Sequence, residues 1–145
     1  MRETKYRGCD TANGEWIYGN LCKNVKGNYG IQIEQGEFKW KFVKTVDIES
    51  VGQYTGFKDK NYKEIYEGDI VEIGDFIYFI KFEIGSFMLV RCSDETDMYA
   101  EFDNCWNDDV YPLCQLHWES NADEDILYNC EVIGNIYNNP GSLNA

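Results

Sequence analysis

Proline and histidine are scarce in this chain: it holds two prolines and a single histidine, His117. Few prolines leave few forced breaks in strand ladders. One histidine leaves little room for imidazole chemistry, and no familiar catalytic motif surrounds it, so a nucleophile, base and orienting group are not recognisable together. Cationic residues are missing from a whole segment. Residues 92–145 contain no Lys or Arg against twelve Asp or Glu, whereas residues 1–60 contain ten Lys or Arg against eight Asp or Glu. With a net charge of −13, such a field opposes general binding to nucleic-acid backbone, where affinity rests on cations that neutralise phosphates. Long apolar runs are also lacking. The most apolar stretch, Phe76 to Leu89, is interrupted by Lys81, Glu83, Gly85 and Ser86, well short of the roughly 18 residues that span a bilayer. The glycines form neither the Walker pattern nor the dinucleotide fingerprint. No cofactor is called for.

What is abundant is aromatic. Eleven Tyr, eight Phe and four Trp bring the aromatic fraction to 16% and the hydrophobic fraction to 43%, enough for a packed core. At 145 residues one domain is the default expectation. The six cysteines, Cys9, Cys22, Cys92, Cys105, Cys114 and Cys130, follow an opening with no apolar stretch of signal-peptide type, which reads as free thiols in a cytoplasmic protein.

The aromatic and β-branched residues recur in short runs separated by Gly, Asn and Asp, the pattern of strands and turns. Candidate strands cover residues 14–19, 29–33, 38–43, 51–57, 64–73, 76–82 and 86–91. The polar turn from Lys58 to Lys63 and the turn at Gly85 each join an antiparallel pair. The predicted fold class is mainly β: a small barrel or strongly curled antiparallel sheet of short hairpins. Residues 94–129 read differently, as an acidic variable insertion. A short helix is expected there from Asp123 to Tyr128, with Asn121 as its cap and three acids in its first turn. Cys130 to Tyr137 is a closing strand and residues 138–145 a tail.

Three blocks resemble the YopX-like family of phage and prophage proteins. They are Met1 to Arg7 with Trp16-Ile-Tyr-Gly-Asn-Leu21, the central Val51-Gly-Gln-Tyr-Thr-Gly-Phe-Lys-Asp-Lys-Asn-Tyr-Lys-Glu-Ile-Tyr-Glu-Gly-Asp-Ile-Val71, and the closing Glu131-Val-Ile-Gly-Asn-Ile-Tyr-Asn-Asn-Pro140. The resemblance implies one domain over residues 1–145 and leaves the acidic segment uncovered. It also exposes a departure: family members commonly carry Gly where this chain has Tyr62. If the position needs positive φ, a bulky residue is strained there. The alternatives are a different turn geometry or an aromatic ring set on the surface for a partner.

Metal chemistry has one candidate set, Cys105, Cys114, His117 and Cys130, which supplies the ligand types of tetrahedral zinc. With one Cys-x-x-His and no Cys-x-x-Cys, buried or idle thiols are the preferred reading, and no metal is expected. Asp108-Asp109 and Asp123-Glu124-Asp125 lack the spacing of a calcium loop and read as solvated charge.

The N-terminal half combines aromatics with lysines, the ingredients for stacking a base and meeting a phosphate without a phosphate loop. The ligand-binding candidates are Trp40, Tyr54, Lys58, Lys60, Tyr62, Lys63 and Tyr66. Together with the phage-type resemblance they lead to a non-enzymatic counter-defence protein that sequesters a nucleotide-derived host immune signal in the host cytoplasm. The alternative is an acidic inhibitor that imitates nucleic acid and occupies a basic surface of a host protein. A homo-oligomer is expected in either case, because short strands leave edges and so many aromatics are hard to bury in one small domain.

Overall fold

The computed structural model describes residues 4–35, 40–83, 85–92, 110–120 and 125–138, with the backbone alone at 34, 35, 40–42 and 118–120. The described chain is mainly β, as the sequence predicts, and divides into two compact units at Tyr54/Thr55.

The first unit contains β1 (Tyr6–Asp10), β2 (Trp16–Lys23), β3 (Tyr29–Gln35) and most of β4 (Trp40–Lys58). Each strand pairs antiparallel with the next, and β1 also pairs with β4, so the four strands partly close into a ring. Glycine lets the strands approach. A Cβ at Gly19 would meet the Gln32 carbonyl oxygen, and one at Gly30 would meet Val43 Cγ1. Ile31 and Val46 are buried. The register of β1 on β4 shifts between Arg7 and Cys9, so β4 carries extra residues between Asp47 and Gly52. Ser50 fixes that irregularity: its hydroxyl donates to the Asp47 carbonyl at 2.5 Å and accepts from the Cys9 amide at 2.7 Å.

β4 is one strand of 19 residues, where the sequence predicts two short ones. Residues 44–47 are ladder rather than connection because Lys44 and Thr45 pair with β3 and Val46 and Asp47 with β1, and the Ser50 bond, a contact across 41 residues, holds the extra residues that follow.

In the second unit the end of β4 pairs with β5 (Glu64–Tyr66), where the Thr55 hydroxyl donates to the Ile65 carbonyl at 2.8 Å. The predicted strand 64–73 is broken in two by Gly68 at φ 93°, and β6 (Asp69–Ile73) leaves for another sheet. That sheet runs β10-β6-β7-β8-β9 and is antiparallel throughout. It comprises β6, β7 (Phe76–Glu83), β8 (Ser86–Arg91), β9 (Val110–Pro112) and β10 (Cys130–Asn135). The expected hairpin about Gly85 is the β7–β8 pair.

Both faces of this sheet are apolar. Val71, Ile80 and Leu89 pack with Leu113, Leu116 and Leu127 on one side. Ile70, Phe79, Met88 and Val90 pack with Val110 on the other. Alternate side chains point to opposite faces of a strand, so near-continuous burial along β8 requires cover on both.

The helix lies elsewhere than expected. α1 covers Cys114–Ser120, inside the acidic segment but ahead of Asp123. Asp123 and Glu124 lie outside the described residues. Residues 125–128 are not helical: the Asp125 carbonyl accepts from the Lys58 amide at 2.7 Å, the Leu127 amide donates back to the Lys58 carbonyl at 2.8 Å, and Ile126 bridges Lys58 in parallel. Those backbone groups are spent on a pairing across the chain, which a helix would forbid. The acidic segment is thus anchored by buried Val110, Leu113, Leu116, Ile126 and Leu127.

Candidate functional site

The turn between β4 and β5 is built around a carboxylate with no solvent exposure, Asp59. Its amide donates to the Lys63 carbonyl at 2.8 Å, and its own carbonyl accepts from the Tyr62 amide at 2.9 Å. Its Oδ1 accepts from the amides of Asn61 and Lys63, each at 2.9 Å. Aspartate suits this place because its short side chain reaches its own backbone two residues on. The second oxygen serves another part of the chain: Oδ2 accepts from the Val132 amide in β10 at 2.9 Å. Next to it the Lys60 amide donates to the Cys130 carbonyl at 2.9 Å. Hydrogen bonds to an ionised acceptor are the strong ones, and a buried carboxylate without them would be costly. Two backbone groups on the outer edge of β10 are thereby satisfied.

At the tip of this turn Tyr62 has φ 65°, the one positive-φ residue other than glycine among the described residues. The position keeps the left-handed geometry that glycine suits, so the turn does not escape into another conformation. Left-handed backbone costs an L-residue with a Cβ about 1–2 kcal/mol. The residue is 64% exposed. Asn61 and Lys63 beside it are also exposed.

The other predicted ligand residues separate. Lys60 reaches Glu131 Oε2 at 3.1 Å. Glu131 lies opposite Glu72 in the β10–β6 register, and Lys60 offsets that like-charge pair. Lys58 ends β4 with its backbone in the pairing with residues 125–127. Tyr66 is 2% exposed; its hydroxyl donates to Glu64 Oε1 at 3.1 Å and its amide to Asp69 Oδ2 at 2.8 Å. Tyr54 is buried in the first unit with Lys5 Nζ 5.4 Å from its ring centroid. Trp40 opens β4, and its side chain lies outside the described residues. The structure thus brings Lys60, Tyr62 and Lys63 together on one turn and places Tyr54 and Tyr66 in the interior. Sequence reading missed Asp59. The signal was its place at the head of a polar turn, but its partner Val132 lies 73 residues away.

The zinc candidates do not assemble among the described residues, where no three His, Cys, Asp or Glu side chains are gathered as a metal group. Cys105 lies outside the described residues. Cys114 is exposed and Cys130 is buried. Burial, aided by the negative charges of Asp59 and Asp69, pushes the Cys130 thiol up to about 12. Burial likewise raises Cys92 to about 11. His117 packs against Phe57, ring centroids 5.5 Å apart. No helix among the described residues is long and apolar enough to cross a membrane.

No curated protein matches this chain. It is similar to a solved structure, "Crystal structure of protein EF1440 from Enterococcus faecalis", at 20% identity over 99% of each chain with a TM-score of 0.49. The family described as "YopX protein" matches residues 5–144, a span that takes in both units, the Asp59 turn and the closing strand. The chain belongs to the YopX protein family.

Proposed function

We propose that this YopX-family chain is a phage-encoded binding protein that sequesters a nucleotide-derived signal of host immunity, with the turn from Lys58 to Lys63 as its recognition element. The observation that carries the reading is Tyr62: a bulky aromatic residue held at φ 65° and 64% exposed. A strained and exposed aromatic contributes nothing to a core, and strain of this kind clusters where a surface is kept for binding. The neighbouring groups have matching chemistry. A base stacks on an aromatic face for about 1–3 kcal/mol, the Asn61 amide offers donors and an acceptor to a base edge, and the exposed Lys63 offers a cation to phosphate. Tyr54 and Tyr66 belong to the interior and leave Tyr62 as the aromatic of this surface.

Calorimetric titration with adenine nucleotides (AMP, ADP-ribose and a cyclic diadenylate) tests the reading. Wild type is expected to bind at least one of them with a rise in melting temperature, and Tyr62→Gly to bind it at least tenfold more weakly while remaining folded. No heat and no melting shift with any of the three would remove the nucleotide reading.

A further inference from the structure

The exposed ring of Tyr62 depends on a residue that has no exposure. Asn61 and Lys63, the two residues flanking Tyr62, both donate their amides to Asp59 Oδ1 at 2.9 Å. The Tyr62 amide donates to the Asp59 carbonyl, and the Asp59 amide to the Lys63 carbonyl. With both neighbours tethered to one oxygen and the chain returning to Asp59 at Lys63, the backbone between them has to reverse. That reversal is the left-handed turn at Tyr62. The same carboxylate is itself held from the far side, where Oδ2 accepts from Val132 and the Lys60 amide bonds the Cys130 carbonyl.

We infer that Asp59 is a positioning residue of the recognition turn, transmitting the placement of β10 to the ring of Tyr62 without touching the ligand. The inference rests on the binding role proposed above for its functional meaning, and on geometry alone for its physical content. Two acceptor oxygens are required. An asparagine has one acceptor oxygen and a donor amide in place of the second, so it can serve the turn amides or Val132 but meets the remaining side with a donor. The chemistry of the turn thus depends on a strand far along the sequence, and a ligand that stiffens the turn should also protect the amide of Val132.

The test is amide exchange by NMR on the full chain and on Asp59→Asn. In the variant the amides left facing the side-chain NH2, either Val132 or Asn61 with Lys63, should exchange at least tenfold faster, and the Cα and Cβ shifts of Tyr62 should lose their left-handed signature. Amides of the β7–β8 hairpin should keep their protection, which separates loss of positioning from loss of fold. Unchanged exchange at the three amides and an unchanged Tyr62 signature would overturn the inference whatever the protein binds. Should the variant fail to fold, wild type alone decides: the three amides are expected to open together, and opening rates that differ by more than tenfold would overturn the inference. If the amides respond as expected but wild type binds none of the adenine nucleotides, the ligand reading falls while the positioning role of Asp59 stands.

Discussion

The two units meet the same difficulty, the unpaired backbone at the margin of a sheet, by different means. The first closes β1 onto β4, so the strands satisfy one another around a ring. The second keeps an open sheet and caps part of the outer edge of β10 with the Asp59 carboxylate and the Lys60 amide. Charge is used alike in both. Cations lie over rings, Arg7 4.8 Å from the centroid of Trp16 in the first unit and Arg91 4.0 Å from that of Phe76 in the second. Buried carboxylates take backbone amides, Asp10 at Ala12 in the first unit and Asp59 and Asp69 in the second. Ring closure relies on small residues and tolerates little added volume. A carboxylate cap relies on three donors and tolerates no loss of its acceptor.

The largest way to break this contrast is Asp59→Ala, which leaves three part-buried amides without their acceptor and, at about 1–1.5 kcal/mol for each, is expected to cost about 3–5 kcal/mol in urea unfolding. A loss below about 1 kcal/mol would mean that water replaces the cap. On the other side of the comparison, Gly19→Ala places a Cβ against the Gln32 carbonyl and is expected to cost about 1–3 kcal/mol. Full stability in that variant would show that the ring has slack.

A third effect belongs to the second unit. The folded Cys130 thiol, at about 12, lies above its ordinary value of 9.0. The unfolded chain therefore ionises first, and the stability this thiol contributes is complete below about pH 9 and lost as pH rises toward 12. Each pH unit within that window is worth about 1.4 kcal/mol. Unfolding measured between pH 8 and 11 should show a decline that is shallower in Cys130→Ala.

Tyr62→Gly should stabilise the fold by up to about 1 kcal/mol, the relief of left-handed strain less the entropy of a freer unfolded chain. A melting temperature that falls would contradict strain at this turn. Smallest of all, Lys60→Ala removes the half-exposed pair with Glu131 and should cost about 0.2–1 kcal/mol, less at high salt.

Much of the fold is legible in short windows of sequence. Runs of aromatic and aliphatic residues on either side of Gly85 mark the β7–β8 hairpin, and the polar run from Lys58 to Lys63 marks the central turn. Other parts depend on partners no window contains. Residues 44–47 join β4 because they meet β3 and β1, and Ser50 meets Cys9. The acids at 123–125 imitate a helix start, yet the helix forms at Cys114–Ser120, where Leu113 and Leu116 are buried against the sheet. The site shows the same division. Tyr62 is conspicuous because glycine is expected at its position. Tyr66, equally aromatic and equally close to lysines, is interior because β5 presents it there.

Separation along the chain also imposes an order in time. During synthesis Asp59 leaves the ribosome 73 residues ahead of Val132, which at about 5–20 residues per second is an interval of roughly 4–15 s. For that interval the turn has its local bonds but not its tie to β10. The signature at the centre of the chain therefore emerges well before β10 and is among the last segments to acquire its final shape.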